Sequence, residues 1–437
     1  MHRCVRNAEV GSSNLLRSTY FRAVGLAAFL GHRPGLARTS VARLGWSSRL
    51  ASRVLAADTK AMLPRSAYLH CPFCRHRCGY CNFAVVAGRD DLAPDYLAAL
   101  EKELEKLGSP RAVETLYLGG GTPTHLPHDL LRRLLDLAKA WFPPIDGRSH
   151  LEWTVEANPG DLSAEKIGLL RLAGVTRISL GGQSFHEEKL RLLERDHSAE
   201  QVEQTVQLAK QAGLQVNLDL IFATPGETLD QWRDDLDHAI RLGPDHISTY
   251  GLTFEKGTSF WTRRRQGGLM EAEEETQRQM YEMAIDRLSA AGFEHYEVSN
   301  FARAGCRSRH NEAYWSGREW YAAGPGAARY VDGVRETNHR STTTWLRRLN
   351  HGESPVAERE ELTPEQRARE RLVFGLRKLE GVDENAFLTE TGYRITDLAQ
   401  REISRFEELG LLEKESGCLR LTREGLLISD AIWPELL

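Results

Sequence analysis

From residue 67 onward the chain alternates short apolar runs with longer stretches in which leucine, valine and alanine recur every three or four residues. A short apolar run reads as a buried strand, and the 3–4 spacing reads as an amphipathic helix. Strand-like runs fall at 67–71, 115–120, 151–157, 177–183, 215–221 and 246–252. A helix-like segment follows each: a charged stretch ending near Leu107, "HDLLRRLLDLAKAWF", "SAEKIGLLRLAG", residues 186–212, "LDQWRDDLDHAIRL" and 271–290. The pattern predicts six consecutive β-then-α units.

A small repeat supports that division. Ala173-Gly174, Ala212-Gly213 and Ala291-Gly292 each stand where a helix gives way to a strand. Glycine just past a helix end adopts the left-handed conformation without a Cβ clash. Alternating units of this kind imply an α/β fold with a parallel sheet and right-handed crossovers. No dinucleotide-binding glycine fingerprint accompanies the first unit, so a partial (β/α)6 TIM-like barrel is expected over residues 62–300. Residues 301–360, around "HNEAYW", read as a connecting segment. The last stretch, 361–437, predicts helices and a two-stranded wing turning near Ser416-Gly417, a small winged-helix-like domain.

In a barrel, chemistry collects at the C-terminal ends of the strands. The unusual motifs all fall there: "HCPFC" after the first strand, then "GGGTPT", "EANPG", "GGQSF" and "DLIFATPGE".

Charge changes the picture at one end. Residues 1–66 hold eleven Lys or Arg against two acids, whereas the remainder holds forty-six bases against fifty-nine acids. An acidic body argues against nucleic acid as a partner. It also favours a lid or docking role for the winged-helix-like domain over DNA binding. Residues 1–61, rich in Arg and Ser, have the composition of a mitochondrial targeting segment. The favoured reading is an over-extended gene start, since Ser12-Ser13-Asn14-Leu15 is encodable by a tRNA gene's T-arm and Met62 supplies an alternative start; a native extension is the third reading. In every case they are expected to lie outside the fold, and the compartment is cytoplasmic, or mitochondrial if the segment is a genuine targeting signal.

Four of the seven cysteines crowd into "CPFCRHRCGYC", residues 71–81. Two C-x2-C pairs could make a zinc site, but structural zinc joins pairs a dozen or more residues apart. Here only Arg75-His76-Arg77 separate them. The other reading takes Cys74, Cys78 and Cys81 in a C-x3-C-x2-C spacing. Three thiolates on a [4Fe-4S] cube leave one iron open, where four protein ligands are usual. An open iron can chelate the amino and carboxylate groups of S-adenosylmethionine, whose sulfonium an electron then cleaves.

The series "YLHCPFCRHRCGYCNF", "LYLGGGTPT", "TVEANP", "RISLGGQSF", "LLERDH", "NLDLIFATPGET", "YEVSNFA" and "HNEAYW" resembles the radical SAM superfamily and, within it, the HemN/HemW group. The resemblance runs from about Tyr68 to the C-terminus. It implies that Cys74, Cys78 and Cys81 hold the cluster, and that Tyr68 and Tyr80 stand near the cluster and nucleoside. Gly120, Gly121 and Thr122 resemble the loop lying against the methionine amino group. Glu156, Gln183, Arg195 and Asp219 match polar positions that hold S-adenosylmethionine. Glu156 and Asp219 interrupt apolar strands, where an unpaired carboxylate is costly.

The coproporphyrinogen oxidase branch carries another cysteine two residues beyond the third ligand; this chain has Phe83. That departure favours the HemW branch, whose members bind heme and pass it to acceptor proteins. The resemblance thus implies heme, heme-accepting proteins and peripheral contact with membrane-bound acceptors. The alternative is oxidative decarboxylation in porphyrin biosynthesis. His310 in "HNEAYW" is a candidate heme-site residue, because a neutral imidazole suits iron; the other reading is a His-Asn pair bonding a loop. Two positions depart from the pattern: Ala328 stands where a histidine is usual, and Cys71 where an aliphatic residue is usual.

Overall fold

The computed structural model describes residues 63–145 and 151–437, so the reading of residues 1–61 falls outside the described residues. Six parallel strands follow in the predicted order: β1 (Ser66–Cys71), β2 (Thr115–Gly120), β3 (Glu152–Ala157), β4 (Arg177–Gln183), β5 (Gln215–Phe222) and β6 (His246–Gly251). Each pairs with the next in parallel register, with Tyr68 opposite Tyr117 and Tyr117 opposite Thr154. Helices at Ala93–Glu105, His128–Trp141, Ala164–Ala173, Ala199–Gln211, Leu229–Leu242 and Glu274–Ala290 return the chain along the outer face. Gly174, Gly213 and Gly292, which close the repeat seen in the sequence, all have positive φ.

Successive side chains on a strand point to opposite faces. One set, including Ala67, Leu69, Leu118, Val155, Ile178 and Leu218, packs with the helices into the main core. The other set is mostly polar and lines the concave side. There Thr154, Arg177, Ser179, Asn217 and His246 line a polar pocket. An ordinary closed barrel fills this space with bulky aliphatic residues. Here hydrogen bonds take their place, as in Asn217 Nδ2 to Ser179 Oγ at 2.7 Å and Ser248 Oγ to Asn217 Oδ1 at 3.1 Å.

Beyond β6 the chain adds further strands to both sides of the sheet. β7 (Glu294–Glu297) and β8 (Asn300–Ala302) extend the sheet antiparallel beyond β6. β9 (Tyr321–Ala323) then returns to pair in parallel with β1 at the opposite edge. Among the described residues the sheet order is β9-β1-β2-β3-β4-β5-β6-β8-β7, an open sheet with two edges. Strands Ala328–Val331, Val334–Asn338 and Val356–Glu361 form a separate three-stranded sheet.

The C-terminal unit has helices Pro364–Gly375, Glu384–Thr391 and Ile395–Glu408, then strands Leu412–Glu415 and Cys418–Leu421, and helices Arg423–Leu427 and Ser429–Leu436; the expected two-stranded wing is joined by a third strand, Val382–Asp383, paired with Cys418–Leu421. Ser416 and Gly417 turn the wing with φ of 52° and 82°. Both central residues in the left-handed region is the geometry of a tight hairpin turn matched to strand twist. The unit is pinned to the barrel by a buried ion pair, Arg377 Nη2 to Glu297 Oε2 at 3.7 Å, with the guanidinium over the Trp315 ring.

Candidate cofactor cleft

At the C-terminal ends of the strands the rim motifs converge on one open cleft of about 780 Å³. Cys74, Cys78 and Cys81 all line it. Cys71 does not: it ends β1 on the helix-facing side, buried in the main core, where burial pushes its thiol up to about 12. Strand alternation thus separates Cys71 from the other three thiols, because the chain leaves the sheet only after Cys71. A four-cysteine zinc knuckle would need that buried sulfur at the surface.

The three lining thiols sit in different surroundings. Cys74 Sγ lies 3.6 Å from Thr122 Oγ1, and burial pushes its pKa up. Burial acts the same way on Cys78. There, however, the hydrogen bond with His76 Nε2 at 3.6 Å and the charge of Arg195 outweigh it, and the thiol pKa is lowered. Cys81 is tied back to Cys78 by its backbone N–H, 3.0 Å from the Cys78 carbonyl.

The glycine loop after β2 is locked against the cysteine loop. Gly121 N–H donates to the Cys71 carbonyl and Thr122 N–H to the Phe73 carbonyl, both at 2.8 Å. A Cβ on Gly121 would stand 2.7 Å from the Phe73 oxygen. Gly120 has φ of +105°, and a Cβ there would come within 2.2 Å of the His70 ring. The glycines are therefore required by the protein's own loops, beyond any approach of a ligand.

Glu156 reaches up from β3. Its Oε2 accepts from Gly120 N–H at 2.8 Å and its Oε1 from the Tyr117 hydroxyl at 2.8 Å. Asp219, on β5, accepts from Ser179 Oγ at 3.2 Å and Asn217 Nδ2 at 3.0 Å. Burial first, and the Glu156 charge second, raise Asp219 to about 7.

Among the described residues, three of the five non-glycine positions with positive φ stand at this rim: Gln183, Glu194 and Ala223. Such conformations cost energy and collect at functional sites. At Gln183 the ladder between β4 and β5 slips, and a bulge of this kind re-aims a side chain. Gln183 lines the cleft, and its buried Oε1 has no hydrogen-bond partner within the protein. Arg195 follows Glu194. Its Nη1 donates to Cys78 Sγ at 3.5 Å and its Nη2 to the Gly181 carbonyl at 2.9 Å and to Asn158 Oδ1, leaving its buried Nε unpartnered. Tyr80 lines the cleft with its ring against Phe260.

Two predicted residues stand elsewhere. Tyr68 lies within the barrel, its hydroxyl 3.0 Å from His70 Nδ1 and its ring beside Tyr117, and it does not line the cleft. His310 is fully buried beneath it. Its Nδ1 meets Thr115 Oγ1 at 2.8 Å, its Nε2 meets the Tyr314 hydroxyl at 2.7 Å, and burial pushes its pKa down to about 3. Both ring nitrogens are occupied, so His310 fastens the "HNEAYW" helix to the barrel floor and presents no free nitrogen to iron. The sequence reading overlooked Asn158, which donates to Thr122 Oγ1 at 2.9 Å and accepts from Arg195. Its place in "EANPG", one residue past a strand end, was the available signal.

Three thiols at an open rim beside orphaned polar atoms fit a sulfur-bound cluster with a small, polar, charged ligand next to it. Residues 68–239 match the Radical SAM superfamily and residues 362–428 the HemN C-terminal domain. The cleft and its sheet are thus those of the radical SAM class, for which a [4Fe-4S] cluster and S-adenosylmethionine are implied. The chain is 34% identical to the heme chaperone HemW of Bacillus subtilis, over 84% of this chain and 98% of that protein. It is 38% identical to the Mycobacterium tuberculosis heme chaperone HemW, over 86% and 95%. Against the mitochondrial radical S-adenosyl methionine domain-containing protein 1 of Danio rerio the identity is 32%, over 85% and 86%. The solved structure of Escherichia coli coproporphyrinogen III oxidase (HemN) superposes with a TM-score of 0.75 at 22% identity, covering 86% of this chain and 90% of that one, a likeness of fold. The chain belongs to the HemW family of radical SAM proteins.

Proposed function

We propose that this chain takes up heme and passes it to acceptor proteins. In this reading Cys74, Cys78 and Cys81 hold a [4Fe-4S] cluster, and the neighbouring cleft holds S-adenosylmethionine. The observation that carries the reading is similarity to heme chaperones along nearly their whole length. When bound, the pair supplies a one-electron route to cleavage of a sulfonium carbon–sulfur bond.

The chain's own groups would then act as follows. Arg195 places a permanent positive charge against the Cys78 sulfur and holds that loop to Asn158 and Gly181. Gln183 offers its orphaned carbonyl oxygen as an acceptor for a ligand N–H or O–H. Glu156, already bonded to Gly120 and Tyr117, fixes the glycine loop and lends negative charge to the cleft wall. Asp219, raised to about 7, exchanges a proton near neutrality and can accept from or donate to a ligand hydroxyl.

Among the described residues no helix is long and apolar enough to cross a membrane, so contact with a membrane-bound acceptor would be peripheral. The acidic body supports the absence of nucleic acid from the partner set. The proposed compartment is the cytoplasm, or the mitochondrion if residues 1–61 act as a targeting signal.

The test uses anaerobically reconstituted full-length protein. Heme uptake and its transfer to an apo-hemoprotein, without decarboxylation of coproporphyrinogen III, is the expected result. Formation of protoporphyrinogen would replace this reading with the oxidase.

A further inference from the structure

Behind the cleft, one buried lysine holds two of the loops that form its rim. Lys189 lies on the helix Glu187–Leu192, between Gln183 and Arg195 in the chain, and does not itself line the cleft. Its ammonium bonds to Glu227 and, at 2.9 Å, to Asp235 Oδ2, with the Trp232 ring centre 5.1 Å away. All three charged side chains are buried. Each carboxylate carries the hold onward. Asp235 accepts from the Ser184 hydroxyl and from Phe185 N–H, both at 2.7 Å, gripping the chain immediately after Gln183. Glu227 Oε2 accepts from the N–H and the hydroxyl of Thr224, at 2.9 and 3.0 Å, immediately after Ala223.

We propose that Lys189 is a positioning residue for S-adenosylmethionine, acting through Gln183 and Arg195; the inference rests on the cofactor reading given above. Two observations carry it. The three rim residues with positive φ all flank this network. Gln183 and Ala223 adjoin the two gripped loops, and Glu194 follows the helix that bears Lys189. Such conformations persist only where the surroundings over-determine them. At the end of that helix Arg195 N–H donates to the Leu190 carbonyl at 2.9 Å, so the guanidinium is placed by the helix that the lysine anchors. The second observation is the chemistry of the hold. Apolar side chains of similar volume often replace a buried ion group without loss of stability. What they cannot supply is direction. One ammonium facing two carboxylates, each bonded to a different loop, fixes the loops after β4 and β5 relative to each other. The orphaned Gln183 Oε1 and the Arg195 guanidinium, whose residues both line the cleft, are thereby held in one arrangement.

The experiment is an anaerobic calorimetric titration of S-adenosylmethionine into reconstituted full-length protein. It compares wild type, Lys189→Met, Ser184→Ala, Gln183→Ala and the double variant Gln183→Ala/Lys189→Met, with iron and sulfide content and circular dichroism recorded for each. We expect Lys189→Met to weaken binding about tenfold with the cluster retained. Ser184→Ala, which removes one hydroxyl and loosens one grip, should weaken it about threefold. The losses should fall short of multiplying in the double variant, because the lysine acts partly through Gln183; a lysine that only stabilises the fold would leave the two independent. Wild-type affinity in cluster-loaded Lys189→Met, or losses that multiply in full, overturns the positioning role while leaving the cofactor reading intact. If Lys189→Met does not load its cluster, Ser184→Ala decides: weakened binding supports the role and wild-type affinity overturns it. A wild type that binds no S-adenosylmethionine overturns the cofactor reading and the positioning role with it.

Discussion

Arg195 Nη1 lies 3.5 Å from Cys78 Sγ, while Nη2 of the same guanidinium holds Asn158 Oδ1 and the Gly181 carbonyl. One planar fork therefore sets a cysteine of the cleft loop in register with the ends of β3 and β4. Lysine keeps the charge but concentrates its donors on one nitrogen, which cannot span both directions. Arg195→Lys is expected to retain the cluster absorbance and to weaken S-adenosylmethionine binding about tenfold, equivalent to about 1.4 kcal/mol. Anaerobic titration calorimetry on the reconstituted variant measures this, and wild-type affinity would show that the bridge is dispensable.

The four clustered cysteines divide by which side of the chain they face. Cys74→Ala, Cys78→Ala and Cys81→Ala should each abolish the brown iron–sulfur absorbance. Cys71→Ala should keep it and instead lower stability by about 1 kcal/mol, the ordinary cost of trimming a small buried side chain. Iron and sulfide analysis, paired with urea unfolding of the apoprotein, reads both effects. Loss of the cluster in Cys71→Ala would mean that the ligand register is shifted.

Gly120 tests the close approach of two loops. Its φ is +105°, and an added Cβ would fall 2.2 Å from a His70 ring that is already held by the Tyr68 hydroxyl and the Ala84 carbonyl, both at 3.0 Å. Neither partner can yield cheaply. Gly120→Ala should cost about 2–4 kcal/mol in denaturant unfolding, from strain and from displacement of a fixed ring. It should also reduce cluster content, because Ala84 closes the loop that carries Cys81.

The barrel was legible because six strands and their helices are long enough to display a period, and the Ala-Gly helix ends fix their boundaries. β9 was not legible: a three-residue edge strand has too few positions to show alternation, and only the position of β1 tells it where to pair. Within the cleft, Glu156, Gln183 and Asp219 carry a readable anomaly, polar groups amid apolar strands or at a strand end, whereas Arg195, past a helix end, reads in sequence like an ordinary surface arginine. Tyr68 and His310 carry the same residue-type signal and face inward instead. Sequence spacing cannot tell a ring that meets a ligand from one whose polar atoms are taken by Thr115, Tyr314 or His70.

His310 supplies the pH test of that distinction. Buried between Thr115 and Tyr314, it has a folded pKa of about 3, below the roughly 6.5 of an exposed imidazole. A base whose folded pKa is depressed leaves the unfolded chain to take the proton first as pH falls. The stability that His310 contributes is therefore intact above pH ~6.5 and is lost progressively below it. At pH 5 the expected loss from this residue is about 2 kcal/mol. Asp219, raised to about 7, works in the opposite direction: its folded form holds a proton that the unfolded form releases, so its contribution falls as pH rises through the acid range towards 7. Comparing wild type with His310→Gln cancels the Asp219 contribution, since both proteins carry it. Urea unfolding of the apoproteins at pH 7.5 and pH 5 should show wild type losing about 2 kcal/mol more than the variant. An equal loss in both would mean that His310 takes up a proton in the folded protein at ordinary pH, against the depression that its burial imposes.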